Sequence, residues 1–198
     1  MNKTRLEAFS DAVIAIIMTI MVLELKVPHG ADIDALTPLL PVFLAYILSF
    51  VYLGIYWNNH HHMLQAARTV SGKVLWANLM LLFWLSLIPF ATAWMGENHF
   101  APLPTLVYGV ILLMCALAYT LLQYKLTKHS HGENVVLATA VGSDLKGKIS
   151  IALYVTAIAL AFVQQNISHA IYVAVAVIWF IPDRRIERQI MPNGNKDN

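Results

Sequence analysis

The sequence predicts an all-α, polytopic membrane protein of six transmembrane helices, with both termini on the cytoplasmic side. Three observations predict it. Hydrophobic residues make up 59% of the 198 and charged residues only 12%, about half of the roughly 25% found in soluble domains; mean hydropathy is +0.63. The charges stand in short clusters between long apolar runs, as in a chain whose main solvent is lipid. With six spans and the N-terminus inside, twelve of the thirteen basic residues fall on the cytoplasmic side: Lys3, Arg5, Arg68, Lys73, Lys125, Lys128, Lys146, Lys148, Arg184, Arg185, Arg188 and Lys196. Only Lys26 falls opposite, a strong positive-inside bias. Removing one helix from the count would invert the placement of everything after it.

The elements follow in order. The first apolar run, Ala12 to Leu23, has too few residues to span a bilayer, which takes about 20. The first helix therefore covers about 5–27 and carries Glu7 and Asp11 with it. The second covers about 36–60, with Pro38 and Pro41 in its first turns, where proline is tolerated. The third covers about 74–95, and Pro89 inside it predicts a kink. The fourth, about 104–127, is the cleanest run. The stretch from Ile149 to Ile181 holds two helices, split at Gln164-Gln165-Asn166. Their apolar halves are short for a span, so they extend to about 145–164 and 167–188. Residues 1–190 thus form one transmembrane domain, and 191–198 a polar tail.

Several classes of function are disfavoured. Cys115 is the one cysteine, so no intrachain disulfide or thiol-metal site is expected. No basic-aromatic patch suited to nucleic acid stands out, so no nucleic-acid partner is predicted. Gly-rich phosphate loops, serine elbows and zinc-protease motifs are absent, so neither an enzyme nor a cofactor is expected. The N-terminal stretch has a basic start, but Asp11 and Glu24-Leu25-Lys26 do not fit a cleaved signal, and the segment is read as retained.

The first helix holds the most informative residues. At 100° per residue, Ile16, Thr19, Ile20 and Leu23 share one stripe. In a helix apolar on every side, such a stripe is ordinarily lipid-facing or packed. Asp11 adds weight, because a carboxylate in a membrane helix costs about 3 kcal/mol on insertion scales and tends to be paired or functional. Two compatible roles stay open for it, an interfacial or capping carboxylate and a support for a pore; the plain structural alternatives for Ser10 and Thr19 are a helix-cap hydroxyl and a hydroxyl bonded back to its own helix. The second cluster is Trp57-Asn58-Asn59-His60-His61-His62. Consecutive helical histidines point about 100° apart and do not converge on one ion, so no metal site is predicted there. On the deduced topology this cluster reaches the Ser10–Asp11 end of the first helix. The loop residues His129, His131 and Glu133 are read as solvated.

Arg5-x-x-x-Phe9-Ser10-Asp11 on the first helix, Trp57-x-x-His60 ending the second, and Leu87-Ile-Pro89-Phe90 in the third together resemble the transmembrane protein 175 potassium channel family, over most of the chain. A single copy of the motif resembles the prokaryotic single-repeat form. The resemblance implies a homotetramer in a prokaryotic plasma membrane, in contact with lipid, with potassium ions as the permeant species and the first helices lining a central pore. It places the constriction at Ile16, with Ile20 and Leu23 further along, and a selectivity role at Thr19. Arg5, Phe9, Ser10, Asp11, Trp57 and His60 become the network that holds the first helix. Ala15 stands where some relatives carry a hydroxyl, which implies weak to moderate preference for potassium over sodium. The competing classes are a proton-coupled secondary transporter using Asp11 and His60, a histidine-based metalloenzyme, and a non-conducting scaffold. No inverted repeat supports the transporter.

Overall fold

A computed structural model describes residues 3–67, 70–128 and 144–180. The chain forms α1 (Lys3–Leu23), a 3-10 helix (Ile33–Leu39), α2 (Leu40–Ala66), α3 (Gly72–Ser86), α4 (Ile88–Glu97), α5 (Pro102–Lys128), α6 (Leu145–Leu160) and α7 (Gln165–Phe180). The protein is all-α, with no strand among the described residues. Among the described residues, four stretches are long and apolar enough to cross a bilayer: Lys3–Leu23, Ile33–Ala66, Gly72–Glu97 and Pro102–Thr127. The 16 residues each of α6 and α7 extend only about 24 Å at 1.5 Å per residue.

Helix ends differ from the sequence expectation where local chemistry competes. α1 stops at Leu23 rather than near Val27, because Pro28 disfavours a helical Val27 and Glu24 and Lys26 stand exposed. The second span begins as a 3-10 turn around Pro38 and becomes α-helical with Pro41 in its first turn. It then runs to Ala66, six residues past the expected end, and carries all three histidines on the helix. Pro89 divides the third span outright. It has no amide to donate and its ring crowds the preceding turn, so α3 ends at Ser86 and α4 restarts with Pro89 in its first turn. The last two helices separate at 161–164, where Ser168 Oγ donates across the turn to the Ala157 carbonyl at 2.8 Å. The expected continuation over 181–188 and the 191–198 tail lie outside the described residues, as do His129, His131 and Glu133.

The core is apolar with a polar thread. Tyr52, Leu53, Leu81, Leu85, Tyr108, Leu112 and Tyr172 are among the fully buried side chains. Through them, the Ser49 hydroxyl lies 2.9 Å from Tyr108 OH and 2.7 Å from the Thr92 hydroxyl. Tyr52 OH donates to the Tyr172 carbonyl at 2.6 Å, and Tyr172 OH to the Thr105 carbonyl at 3.1 Å. These bonds join α2, α4, α5 and α7. Between helices in lipid there is little hydrophobic drive, so packing and such bonds hold the bundle. α1 lies against α2, α3 and α4, outside this thread.

One close approach is set by glycine. A Cβ on Gly96 would stand 2.6 Å from the Val42 Cα, which is backbone and cannot step aside. Gly96→Ala is therefore expected to destabilise the protein by about 1–3 kcal/mol, the usual cost of overpacking. A lowered thermal unfolding midpoint in detergent, against an unchanged midpoint for alanine at Gly54, which has open space, is the check.

Candidate functional site

The N-terminal helix has two unlike faces. Leu6, Ser10, Ile14, Ile17 and Met21 recur at spacings of three and four and are buried against the bundle, the stripe expected of a packed helix. About a third of a turn away, Ile16, Ile20 and Leu23 are 56%, 41% and 79% exposed, and Thr19 is exposed beside them. A groove of 730 Å³ opens between this face and α4, with Ile16 and Ile20 on one wall and Phe90 and Trp94 on the other. The chain therefore leaves bulky apolar side chains uncovered along one line of α1.

Thr19 Oγ donates to the Ile16 carbonyl at 2.9 Å. Its one proton is thus engaged within the helix, and the lone pairs of the hydroxyl oxygen stay available on the exposed side. That is the arrangement of a side chain able to accept from water or coordinate a cation.

The buried face carries a polar link that runs in one direction. Ser10 Oγ donates to the Leu6 carbonyl at 2.8 Å, so it must accept from its other neighbour, Asn78 Nδ2, at 2.9 Å. Asn78 then presents its carbonyl oxygen to His60 Nε2, 2.7 Å away. That oxygen only accepts, so the imidazole carries its proton on Nε2. His60 Nδ1 is left buried and without a partner. Ser10, His60 and Asn78 are all fully buried, where an unmade hydrogen bond is costly. Beside this link, Trp57 Nε1 donates to Asp11 Oδ1 at 3.1 Å.

Four of the six network residues expected from the sequence are thereby brought to one region: Ser10, Asp11, Trp57 and His60. His60 reaches Ser10 only through Asn78, a residue the sequence reading passed over. The signal was present, since Asn78 is a lone amide within the apolar run from Val74 to Met95, and isolated polar groups in membrane helices are usually bonded or functional. Arg5 and Phe9 do not join. Both are exposed, because they fall on the stripe of Ile16, Ile20 and Leu23 rather than that of Ser10. Among the described residues no group of three or more His, Cys, Asp or Glu side chains is placed to hold a metal ion.

At the other end of α1, Lys26 Nζ pairs with Glu97 Oε1 at 2.6 Å. The hydrogen bond that Lys26 donates to the Glu97 carboxylate, and the negative charge of that carboxylate, raise the Lys26 pKa. The pair is exposed and screened, so it adds little to stability.

Residues 5–89 match the family model described as the endosomal/lysosomal potassium channel TMEM175. A potassium channel of Chryseobacterium sp. (strain P1-3) is 55% identical over 193 residues, covering 98% of this chain and 100% of the relative. The chain belongs to the TMEM175 family. A Streptomyces collinus potassium channel is 30% identical over 190 residues, covering 90% of this chain and 92% of that one. In structure, the chain is similar to the lysosomal potassium-selective channel TMEM175 homolog from Chamaesiphon minutus, with a TM-score of 0.78 and 27% identity over 91% of this chain and 97% of that one. Within a TMEM175 fold, the matched stretch holds the exposed face of α1, the Ser10–Asn78–His60 link and the Asp11–Trp57 bond. The C-terminal helices complete the bundle behind them.

Proposed function

We propose that this protein is a potassium channel of a prokaryotic plasma membrane, a homotetramer in which four copies of α1 surround the pore. The observation that carries this reading is the uncovered stripe Ile16–Ile20–Leu23 on a helix whose opposite face is packed and hydrogen-bonded. In a four-fold ring those side chains form an apolar constriction, with Ile16 the narrowest point. Such a ring empties of water when it narrows, so side-chain width governs conduction. An ion crossing it sheds part of its hydration shell, which potassium does more readily than sodium. The Thr19 oxygens offer replacement contacts, fewer than a ring of backbone carbonyls, and preference for potassium is weak to moderate. The protein acts as a conduit without chemical turnover. Six spans with both termini in the cytoplasm complete the topology, on the strength of the basic-residue bias.

Purified protein in liposomes is expected to carry potassium along a gradient, faster than sodium and without saturating at low concentration. In detergent it is expected to elute with a mass four times that of the 22.1 kDa chain. Saturable flux that moves protons in step with potassium would replace the channel with a carrier using Asp11 and His60. A monomeric mass would remove the four-helix pore.

A further inference from the structure

Beyond the Asp11–Trp57 bond, α1 and α2 touch through two more polar pairs that fall in register with it. Lys3 Nζ donates to the Gln65 carbonyl at 3.0 Å. Glu7 Oε1 stands 3.2 Å from His61 Nδ1, within ion-pair distance of a protonated imidazole but outside hydrogen-bond geometry. Together with Asp11 and Trp57, these make a ladder: as the position on α1 rises by four, the position on α2 falls by four. That is the register of two antiparallel helices meeting once per turn. The rungs also support one another, since the His61 ring stacks on Trp57, with centroids 6.1 Å apart and planes 23° from parallel.

The ladder stops at Asp11. From Ile14 to Leu23, α1 meets the bundle through apolar side chains, Ile14, Ile17 and Met21. One end of the helix is therefore held by polar contacts at three successive turns and the other by apolar packing, with the exposed Lys26–Glu97 pair just beyond its end. Apolar surfaces discriminate less sharply between neighbouring rotations and heights than paired polar groups do.

We propose that Glu7 and His61, with Lys3 and Gln65 one turn further out, are positioning residues that fix the rotation and height of α1 and so the aim of Ile16 and Ile20. This rests on the reading of α1 as the pore helix. The ladder is the pivot and the Ile16–Leu23 half is the moving arm.

The test uses full-length protein carrying Glu7→Gln, His61→Gln, or the exchange Glu7→His with His61→Glu, which rebuilds the rung in reverse. Each single variant is expected to change potassium flux in liposomes about threefold, the range of a partly exposed polar pair, and to quicken amide exchange in residues 4–12 while residues 14–23 stay as protected as before. The exchange is expected to restore both readouts. A merely structural rung would lower stability without rescue of flux by the exchange, and that result overturns the proposal. So does unchanged flux together with unchanged amide exchange in both single variants. Wild-type protein that carries no flux, or flux indifferent to Ile16, defeats the pore reading instead; the amide-exchange arm then still reports on the ladder by itself.

Discussion

Ile16→Asn is expected to raise potassium flux on the order of tenfold and to bring the potassium-to-sodium ratio toward one, because in the proposed four-fold pore a ring of four amides stays hydrated where four isoleucines exclude water. Ile16→Ala should give a smaller rise, since it widens the ring but leaves it apolar. Liposome flux measured for both cations across the series checks this, and the order asparagine, alanine, wild type is the diagnostic feature. The side chain is 56% exposed in the subunit, so neither change leaves a cavity in the core. Folding should therefore be nearly unaffected, and a difference in flux reports on conduction. Equal flux from all three proteins would place the constriction elsewhere.

Asn78→Leu is expected to act through the opposite face and mainly on stability. It removes the acceptor for His60 Nε2 and the donor to Ser10 Oγ at once. Both ring nitrogens of His60 are then buried without a partner, since Nδ1 already lacks one. Buried unsatisfied groups cost about 1–3 kcal/mol each in water-soluble proteins, but interhelical bonds in membranes average nearer 0.6 kcal/mol, because the unfolded chain in lipid also finds partners. Weighing the two, we expect a loss of about 2 kcal/mol, read as a lower thermal midpoint in detergent. Ser10→Ala should cost less, since it leaves the His60–Asn78 bond intact. A leucine variant as stable as wild type would mean that the link adds nothing to the fold.

The parts of this architecture that follow from neighbouring residues were legible in the sequence. Apolar runs marked the helices, and Pro89 marked a kink where the structure has a full break between α3 and α4. The bond from Thr19 to the Ile16 carbonyl is a local contact that any helix supplies. Parts that depend on distant residues were not legible. Asn78 meets Ser10 across 68 residues, and nothing near Asn78 in the chain names that partner. The Arg5, Phe9, Ser10 and Asp11 motif was grouped on the family resemblance; at 100° per residue the helix sends Arg5 and Phe9 to a different face from Ser10. The length of α2 was underestimated because a polar run after Trp57 resembles a helix end. Those polar side chains instead lie along a continuing helix: His61 faces Glu7 of α1, His60 meets Asn78 of α3, and Asn59 Nδ2 donates back to the Ile55 carbonyl.

The separations along the chain imply an order of assembly. The polar contacts of α1 close over 68, 62 and 46 residues, and that of His60 with Asn78 over 18; all are available once α3 has been made. The tyrosine thread closes later, since Tyr52 waits for Tyr172 across 120 residues. Because chains emerge N-terminus first and nearby segments meet sooner, the first three helices form a unit while the ribosome is still making the rest. That unit, from Lys3 to Ser86, overlaps almost entirely with residues 5–89, the stretch matched by the family model. The later helices dock onto a core that already holds its own polar groups, so replacements in α6 and α7 should disturb biogenesis less than replacements at the junction of α1, α2 and α3.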